Sequence, residues 1–267
     1  MSSYSSQILL DNPLAYWRLD DAMPGAADTA ANVKWTYGQG ASVGLSPVVS
    51  DGGRSVSGVG NNPIATYPFT PAIKTMEAWI AMPTGTAKDS IISLGNGNNG
   101  FGFGIGSGNW QTLGTNIIIL IGNVSWIDTG YSLSAGVHHI VLTVSGGTGI
   151  LYVDGTQRWT GTANPQTATG GIGVGGVYGG TSGLSSSVKI DNVALYGSVL
   201  TSTQASTHYA ANGSSYSTAV LADSPLHYLK FDETSLYDFT NSTTSDSMGG
   251  TAWAFGSGVT KGKTGIV

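Results

Sequence analysis

Two tight turns between alternating runs constrain this chain more than any other feature. From Val137 to Val144 the apolar residues Ile140, Leu142 and Val144 fall on one face. Gly146-Gly147 then turns the chain, Ile150 to Val153 runs back, and Asp154-Gly155 turns it again into Gln157 to Thr160. Gly-Gly and Asp-Gly reach the positive φ angles that two-residue hairpin loops need, so this stretch reads as a three-stranded antiparallel meander. In Thr75 to Met82, the residues Met76, Ala78, Ile80 and Met82 share one face and Glu77 and Trp79 take the other, the pattern of a half-buried strand. Similar runs are Leu14 to Leu19, Ser90 to Leu94, Phe101 to Ile105, Asn116 to Ile121, Gly171 to Val177 and Val188 to Tyr196. Trp17 and Trp79 lie inside such phrases and are assigned to the core.

Helical signals occur once. Thr201-Ser202-Thr203-Gln204 fits a capping box and Asn212-Gly213 a C-terminal stop, which predicts one short helix packing Ala205 and Tyr209 on a sheet. Glycine fills 41 of 267 positions and Glu only two, Glu77 and Glu233, so a helical bundle or coiled coil is excluded. The fold class expected is all-β, an antiparallel sandwich of jelly-roll type with one short C-terminal helix.

The formal net charge is −5 and the sequence pI about 5.1, with no basic cluster, which argues against a nucleic-acid partner. With no Cys, the chain has neither disulfides nor thiolate chemistry, and its stability must come from a large core. No apolar run reaches the ~20 residues of a membrane helix, and Met1 to Gln7 has no basic n-region. The expectation is a protein that folds in a cytoplasm and does not insert into membranes.

Sliding the chain by 212 residues exposes a repeat. Ser3, Tyr4, Ser5, Leu9, Asp11, Pro13, Leu14, Tyr16 and Asp20 recur as Ser215, Tyr216, Ser217, Leu221, Asp223, Pro225, Leu226, Tyr228 and Asp232, nine identities in the 18 positions from Ser3 to Asp20. The division this suggests is a jelly-roll domain over 1–213 and, over 214–267, a linker and the incomplete start of a second similar domain. A fragment of that length cannot close a jelly roll alone, so a longer natural chain is expected.

Six phrases occur in order: Asp11-Asn12-Pro13-Leu14-Ala15-Tyr16-Trp17-Arg18-Leu19-Asp20, Met76 to Ile80, Val137 to Val144, Leu151 to Gly155, Ile190-Asp191-Asn192-Val193-Ala194-Leu195-Tyr196 and His208-Tyr209. Together, over roughly residues 7 to 213, they resemble the laminin-G-like group of concanavalin A-like lectin/glucanase domains, of the kind found in bacteriophage tail and other virion proteins. The resemblance implies a concanavalin A-like jelly roll and a non-enzymatic virion structural protein. The role expected is a minor tail or tail-tip component presenting a glycan-adhesion or docking domain, with a capsid decoration or head-fibre protein as the alternative and a glycoside hydrolase as the third. It implies a place on the particle surface after assembly in the bacterial cytoplasm. Its partners would be other virion proteins and host cell-wall glycans, in a homo-oligomer or symmetric assembly.

The residues offer little catalytic chemistry. Glycoside hydrolysis needs two carboxylates about 5 to 10 Å apart. Laminarinase-like relatives carry Glu-x-Asp-x-x-Glu on one strand, whereas Val188 to Ala194 has Asp191 without either flanking Glu, which leaves Glu77 with Asp191 as the one pair worth mutation. His138 and His139 point to opposite faces of a strand and cannot chelate one ion, so both read as structural. Gly95 to Gly106 contains a Gly-x-Gly-x-x-Gly match, but no helix follows it and dinucleotide binding is discarded. No catalytic residue, metal ligand or cofactor is therefore assigned. Calcium is considered only at the scattered acids Asp20, Asp21, Asp28, Asp51 and Asp128, which lack an Asp-x-Asp spacing. Candidate glycan-binding residues are Trp110, Trp126 and Tyr131, in or beside turns, and Tyr178 in the Gly-rich stretch 175–183, because exposed rings near Asn and Gly suit stacking on sugar faces.

Overall fold

A computed structural model of the chain describes residues 25–28, 30, 33–38, 40–50, 54–58, 63–68, 72–95, 100–109, 112–121, 125–163, 170–178, 184, 188–213, 215–231, 243–244 and 253–254. The strand expected at Leu14 to Leu19, with Trp17, lies outside these residues. The chain divides into a unit of Gly25–Leu236 and a second of Met1–Pro24 with Tyr237–Val267.

In the larger unit the strands are β1 (Gly25–Asp28), β2 (Val33–Tyr37), β3 (Ala41–Leu45), β4 (Ser55–Gly58), β5 (Ala65–Tyr67), β6 (Thr75–Met82), β7 (Asp89–Leu94) and β8 (Phe101–Gly106). They continue as β9 (Asn116–Ile121), β10 (Ser125–Ser132), β11 (Gly136–Ser145), β12 (Thr148–Val153), β13 (Thr156–Thr162), β14 (Ile172–Val174) and β15 (Lys189–Tyr196). Helices α1 (Ser202–Ala210) and α2 (Tyr216–Ala222) and strand β16 (His227–Leu229) follow. In the second unit, β17 (Thr243–Thr244) pairs antiparallel with β18 (Trp253–Ala254).

Hydrogen bonds run in the order β10-β9-β8-β7-β14-β5-β2-β1-β16-β15-β6-β11-β12-β13, with β3 and β4 branching from β15. The strands form two antiparallel sheets in a sandwich of the expected jelly-roll kind. Alternation explains its main core. Phe103 and Ile105, Ile117 and Ile119, Met76 and Ile80, Ile140 and Leu142, and Leu151 and Val153 all point between the sheets.

The meander turns as the dipeptides require. Gly146 and Gly147 have φ of 55° and 80°, Asp154 and Gly155 of 53° and 71°, so both loops have positive φ at both central residues. The β11–β12 register ends at Ser145 opposite Thr148, and the β12–β13 register begins at Val153 opposite Thr156. Asp154 also ties its loop to β11, with Oδ1 accepting from His139 N at 2.9 Å and Oδ2 lying 2.8 Å from His138 Nδ1.

Helix α1 begins at the expected box. Thr201 Oγ1 accepts from Gln204 N at 3.2 Å and Gln204 Oε1 accepts from Thr201 N at 2.9 Å. It buries Ala205 and His208, whereas Tyr209 is 39% exposed and stacks on Trp79. The residue three positions after Ala205, rather than four, faces the sheet. The expected single helix is joined by a second, α2, which follows the Gly213 stop after two residues and buries Tyr216 and Val220.

These two helices change the status of β6. Its Glu77–Trp79 face, read as the open side of a half-buried strand, is buried too, because a second apolar cluster covers it. That cluster joins Trp79, Val141, Tyr152 and Tyr196 to Ala205, Tyr216, Val220 and Tyr228. The covering layer draws on residues beyond 213, the end of the first domain in the sequence reading. Tyr216 and Val220 belong to the buried cluster, and β16 pairs with both β15 and β1.

A bulge in β15 sets its chemistry. Asn192 has φ 52°, a left-handed conformation that Asn adopts more readily than most residues, and the register against β6 shifts between Asp191 and Ala194. Ile190 and Val193 therefore both reach the main core, while the buried carboxylate of Asp191 turns away from it. Asp191 Oδ2 accepts from Val48 N (2.9 Å) and Val49 N (3.1 Å), and Oδ1 accepts from Asn192 Nδ2 (2.7 Å). Asp191→Ala leaves these amides buried without an acceptor and should destabilise the protein by about 2 to 3 kcal/mol, measured as a lower urea midpoint, with Asp191→Asn losing less.

Candidate functional site

The strongest concentration of polar chemistry in the described residues surrounds Glu77, at the centre of β6 and fully buried. Four neighbouring elements supply its partners by register and helix phase. His139 on β11 lies opposite Trp79, one step along the ladder, and Tyr196 ends β15 on the same face. His208 projects down from α1 and Tyr216 from the first turn of α2. Glu77 Oε1 lies 2.6 Å from His139 Nε2 and accepts from Tyr216 OH at 2.6 Å. Its Oε2 accepts from Tyr196 OH at 2.8 Å. His208 Nδ1 sits between the two oxygens, at 3.1 and 3.0 Å, and its Nε2 lies 3.0 Å from Asp223 Oδ2.

This arrangement fixes the protonation states. Burial pushes the Glu77 carboxyl up, but the hydrogen bonds and charges of His139 and His208 outweigh it and hold the group ionised, far below the usual carboxylate range. For His208, burial favours the neutral ring, and the two carboxylates on either side, Glu77 first, raise its pKa regardless. Burial and the Glu77 charge drive the Tyr196 and Tyr216 hydroxyls well above their ordinary value, so both remain donors. A carboxylate saturated by four side chains, ionised and closed to solvent has no proton to give and no room for substrate. What the cluster does is pin two helices onto a sheet.

Three of the four expected glycan-binding residues fall among the described residues. Trp110 lies outside the described residues. Trp126 and Tyr131 lie within strand β10 rather than in turns. Tyr131 is half-buried, packs against the main core and carries the Arg158 guanidinium 5.2 Å above its ring. Tyr178 lies across Gly171, where an added Cβ would come within 2.6 Å of the ring. Trp126 is also half-buried, pairs with Leu120 on β9, and belongs to neither apolar cluster.

Two residues along β10, Asp128 stiffens the surroundings of Trp126. Its oxygens accept from Gly108 N (2.8 Å), Gly130 N (2.8 Å) and Asn116 Nδ2 (3.0 and 3.2 Å). Burial raises its pKa, and the Gly130, Gly108 and Asn116 donors together outweigh that and leave it below the ordinary value. Both oxygens are thus taken by N–H groups. Of the other acids considered for calcium, Asp20, Asp21 and Asp51 and the side chain of Asp28 lie outside the described residues, within which no group of three or more His, Asp or Glu is placed to hold a metal ion. Sequence reasoning named Glu77 but missed His208, Tyr216 and Asp223. The available signal was the helical step from the Gln204 cap to His208, which brings that ring to the face beside Ala205.

The signs of these shifts set a pH profile. A depressed Glu77 contributes stability above its unfolded pKa, about 4.3, which is lost as pH falls from there. A raised His208 contributes fully below its unfolded pKa, about 6.5, and loses that contribution as pH rises toward its folded value. The Asp154 hydrogen bond and charge raise His138 in the same sense. Urea midpoints should therefore form a plateau between roughly pH 4.5 and 6.5. His208→Gln and His138→Gln should each flatten the alkaline limb, and Glu77→Gln should cost about 3 kcal/mol or more, as for one member of a buried ion pair.

Residues 52–206 match the family model described as the concanavalin A-like lectin/glucanases superfamily. A search of curated proteins finds no match. Among solved structures, a Trypanosoma rangeli sialidase in complex with the inhibitor DANA is similar at 22% identity over 63% of this chain and 29% of that chain, with a TM-score of 0.43. Domain 4 of AbnA, a GH43 extracellular arabinanase from Geobacillus stearothermophilus, in complex with arabinotriose, is similar at 15% identity over 72% of this chain and 85% of that one, TM-score 0.39. A heptameric SAP-like pentraxin from Limulus polyphemus is similar at 18% identity over 58% and 82%, TM-score 0.40. The chain thus spans less than a third of the sialidase's length. With more than half of its residues matched by the family model and a sandwich of the expected kind, this chain belongs to the concanavalin A-like lectin/glucanase superfamily.

Proposed function

We propose that this chain is a non-enzymatic bacteriophage virion structural protein, a minor tail or tail-tip component presenting a glycan-adhesion or docking domain. One observation carries the non-catalytic part. The only two carboxylates that sequence reasoning could pair for hydrolysis are both consumed by structure, Glu77 by two imidazoles and two hydroxyls and Asp191 by backbone amides. Neither is available to protonate a leaving group or activate water. The virion part rests on the sequence resemblance, with its Pro-x-x-Tyr-Trp opening and absence of Cys. The partners that follow are other virion proteins, in a symmetric or homo-oligomeric assembly, and host cell-wall glycans.

Trp126 is the best-placed anchor for a sugar face. It is half-buried on β10, at the end of the hydrogen-bonded order, with its Nε1 buried and without a hydrogen-bond acceptor, and Asp128 holds the adjoining backbone rigid, so little ordering is needed on binding. Tyr131 and Tyr178 are already covered by Arg158 and Gly171. Trp126→Ala should weaken binding to host cell-wall glycans by about 1 to 3 kcal/mol in calorimetry, with Tyr131→Ala reducing stability instead. Immunogold labelling of intact particles should mark the tail. Gold on the head shell would make the chain a decoration protein, and unlabelled particles would end the virion reading. Release of reducing sugar that disappears in Glu77→Gln would overturn the non-catalytic assignment.

A further inference from the structure

The slot filled by residues 215–231 makes a small set of specific contacts. Tyr216 OH donates to Glu77 Oε1 (2.6 Å), Asp223 Oδ2 lies 3.0 Å from His208 Nε2, and Tyr228 OH donates to Asn192 Oδ1 and lies 3.0 Å from Ser217 Oγ. Leu226 N donates to Leu195 O at 2.7 Å, leading β16 into the ladder beside β15.

Every one of these anchors has an identical counterpart 212 residues earlier. Tyr4 stands for Tyr216, Ser5 for Ser217, Asp11 for Asp223, Leu14 for Leu226 and Tyr16 for Tyr228. Nine identities in 18 positions therefore include each of these hydrogen-bonding side chains, and the buried Val220, Leu229 and Phe231 are matched by apolar Ile8, Trp17 and Leu19, whereas His227, whose ring packs against Trp35 and Tyr67, is matched by Ala15. The present occupant also carries a local cost that its counterpart relieves. Ser224 has φ 53°, in the left-handed region, and the matching residue is Asn12, which enters that region more readily.

From this match we infer that the slot beside β15 is a strand-exchange site, and that its second occupant is residues 3–20 of a second copy of this chain. The resident segment holds the advantage in dilute solution, because it is tethered and present at millimolar effective concentration. Where copies are crowded, as in the assembly proposed above on which this inference rests, the incoming segment offers the same side-chain hydrogen bonds and the same ladder without the His227 ring contacts, and exchange links one copy to the next.

The test uses the full chain and a fluorescent peptide of residues 2–21. Binding by anisotropy should saturate at one peptide per chain. Tyr216→Phe or Asp223→Asn in the chain weakens the resident and should tighten peptide binding roughly tenfold, whereas Tyr4→Phe or Asp11→Asn in the peptide should loosen it by a similar factor. Opposite signs for the same chemical change on the two sides are what competition for one slot requires. The Tyr216→Phe chain should also form dimers and larger species as concentration rises in sedimentation, and excess peptide should return it to monomer. A peptide that binds neither the wild-type nor the weakened chain, equal signs on both sides, or a weakened chain that stays monomeric at every concentration overturns the proposal.

Discussion

A single ionised carboxylate organises one whole face of this sandwich. Glu77 sits where alternation along β6 places it, on the side away from the main core, and burying a carboxylate alone would cost several kcal/mol. The cost is offset because donors arrive from β11, β15, α1 and α2. Each is itself fixed by a local device: the two hairpin turns that set the position of His139, the capping box that starts α1 in phase for His208, and the Gly213 stop that releases the chain for α2. Remove the carboxylate and two phenols and two imidazoles lose their common partner. The helices then have only apolar contact to hold them, which does not dictate their exact seating.

That dependence separates specificity from bulk stability. The main core between the sheets, dominated by Ile, Leu, Val and Phe, supplies most of the burial, and burial alone tolerates alternative packings. Buried polar groups do not, since each misplacement leaves a donor or acceptor without a partner in a low dielectric. Asp191 fixes the 48–49 backbone in the same way, and Asp128 fixes the 107–109 turn. With no Cys and few charged side chains, the chain relies on these three carboxylates for the fixing of loops and helices that a disulfide supplies in other β-sandwiches.

The legible parts of the fold were those encoded locally. Gly146-Gly147, Asp154-Gly155 and the Thr201–Gln204 box state their own geometry, and the strands β6, β7, β8, β9 and β11 through β15 follow from period-two runs. Strands β1 to β5 are three to five residues long, in a stretch rich in Gly, Ser and Ala, and carry no alternation long enough to read. Strand β10 was hidden because Trp126, Asp128, Gly130 and Tyr131 imitate a polar turn. The Glu77 site was half legible. Its strand and face were readable, but a Glu beside a Trp on a strand looks solvent-facing until something distant covers it, and the covering residues lie 131 and 139 positions away.

Those distances bear on where the folded unit ends. The family match stops at residue 206, before Asp223, Tyr216 and Tyr228. Yet without a segment carrying these groups, Glu77 keeps two imidazoles and one phenol, Asn192 loses its hydroxyl donor, and β15 is left with an unpaired edge along Val193 to Leu195. An open edge beside a buried charge is both an aggregation hazard and an electrostatic penalty. The sandwich is thus complete only when a Tyr-containing segment and a short strand are supplied from outside the matched region, and it is the buried chemistry of β6 and β15, rather than the length of the chain, that defines what such a segment must carry.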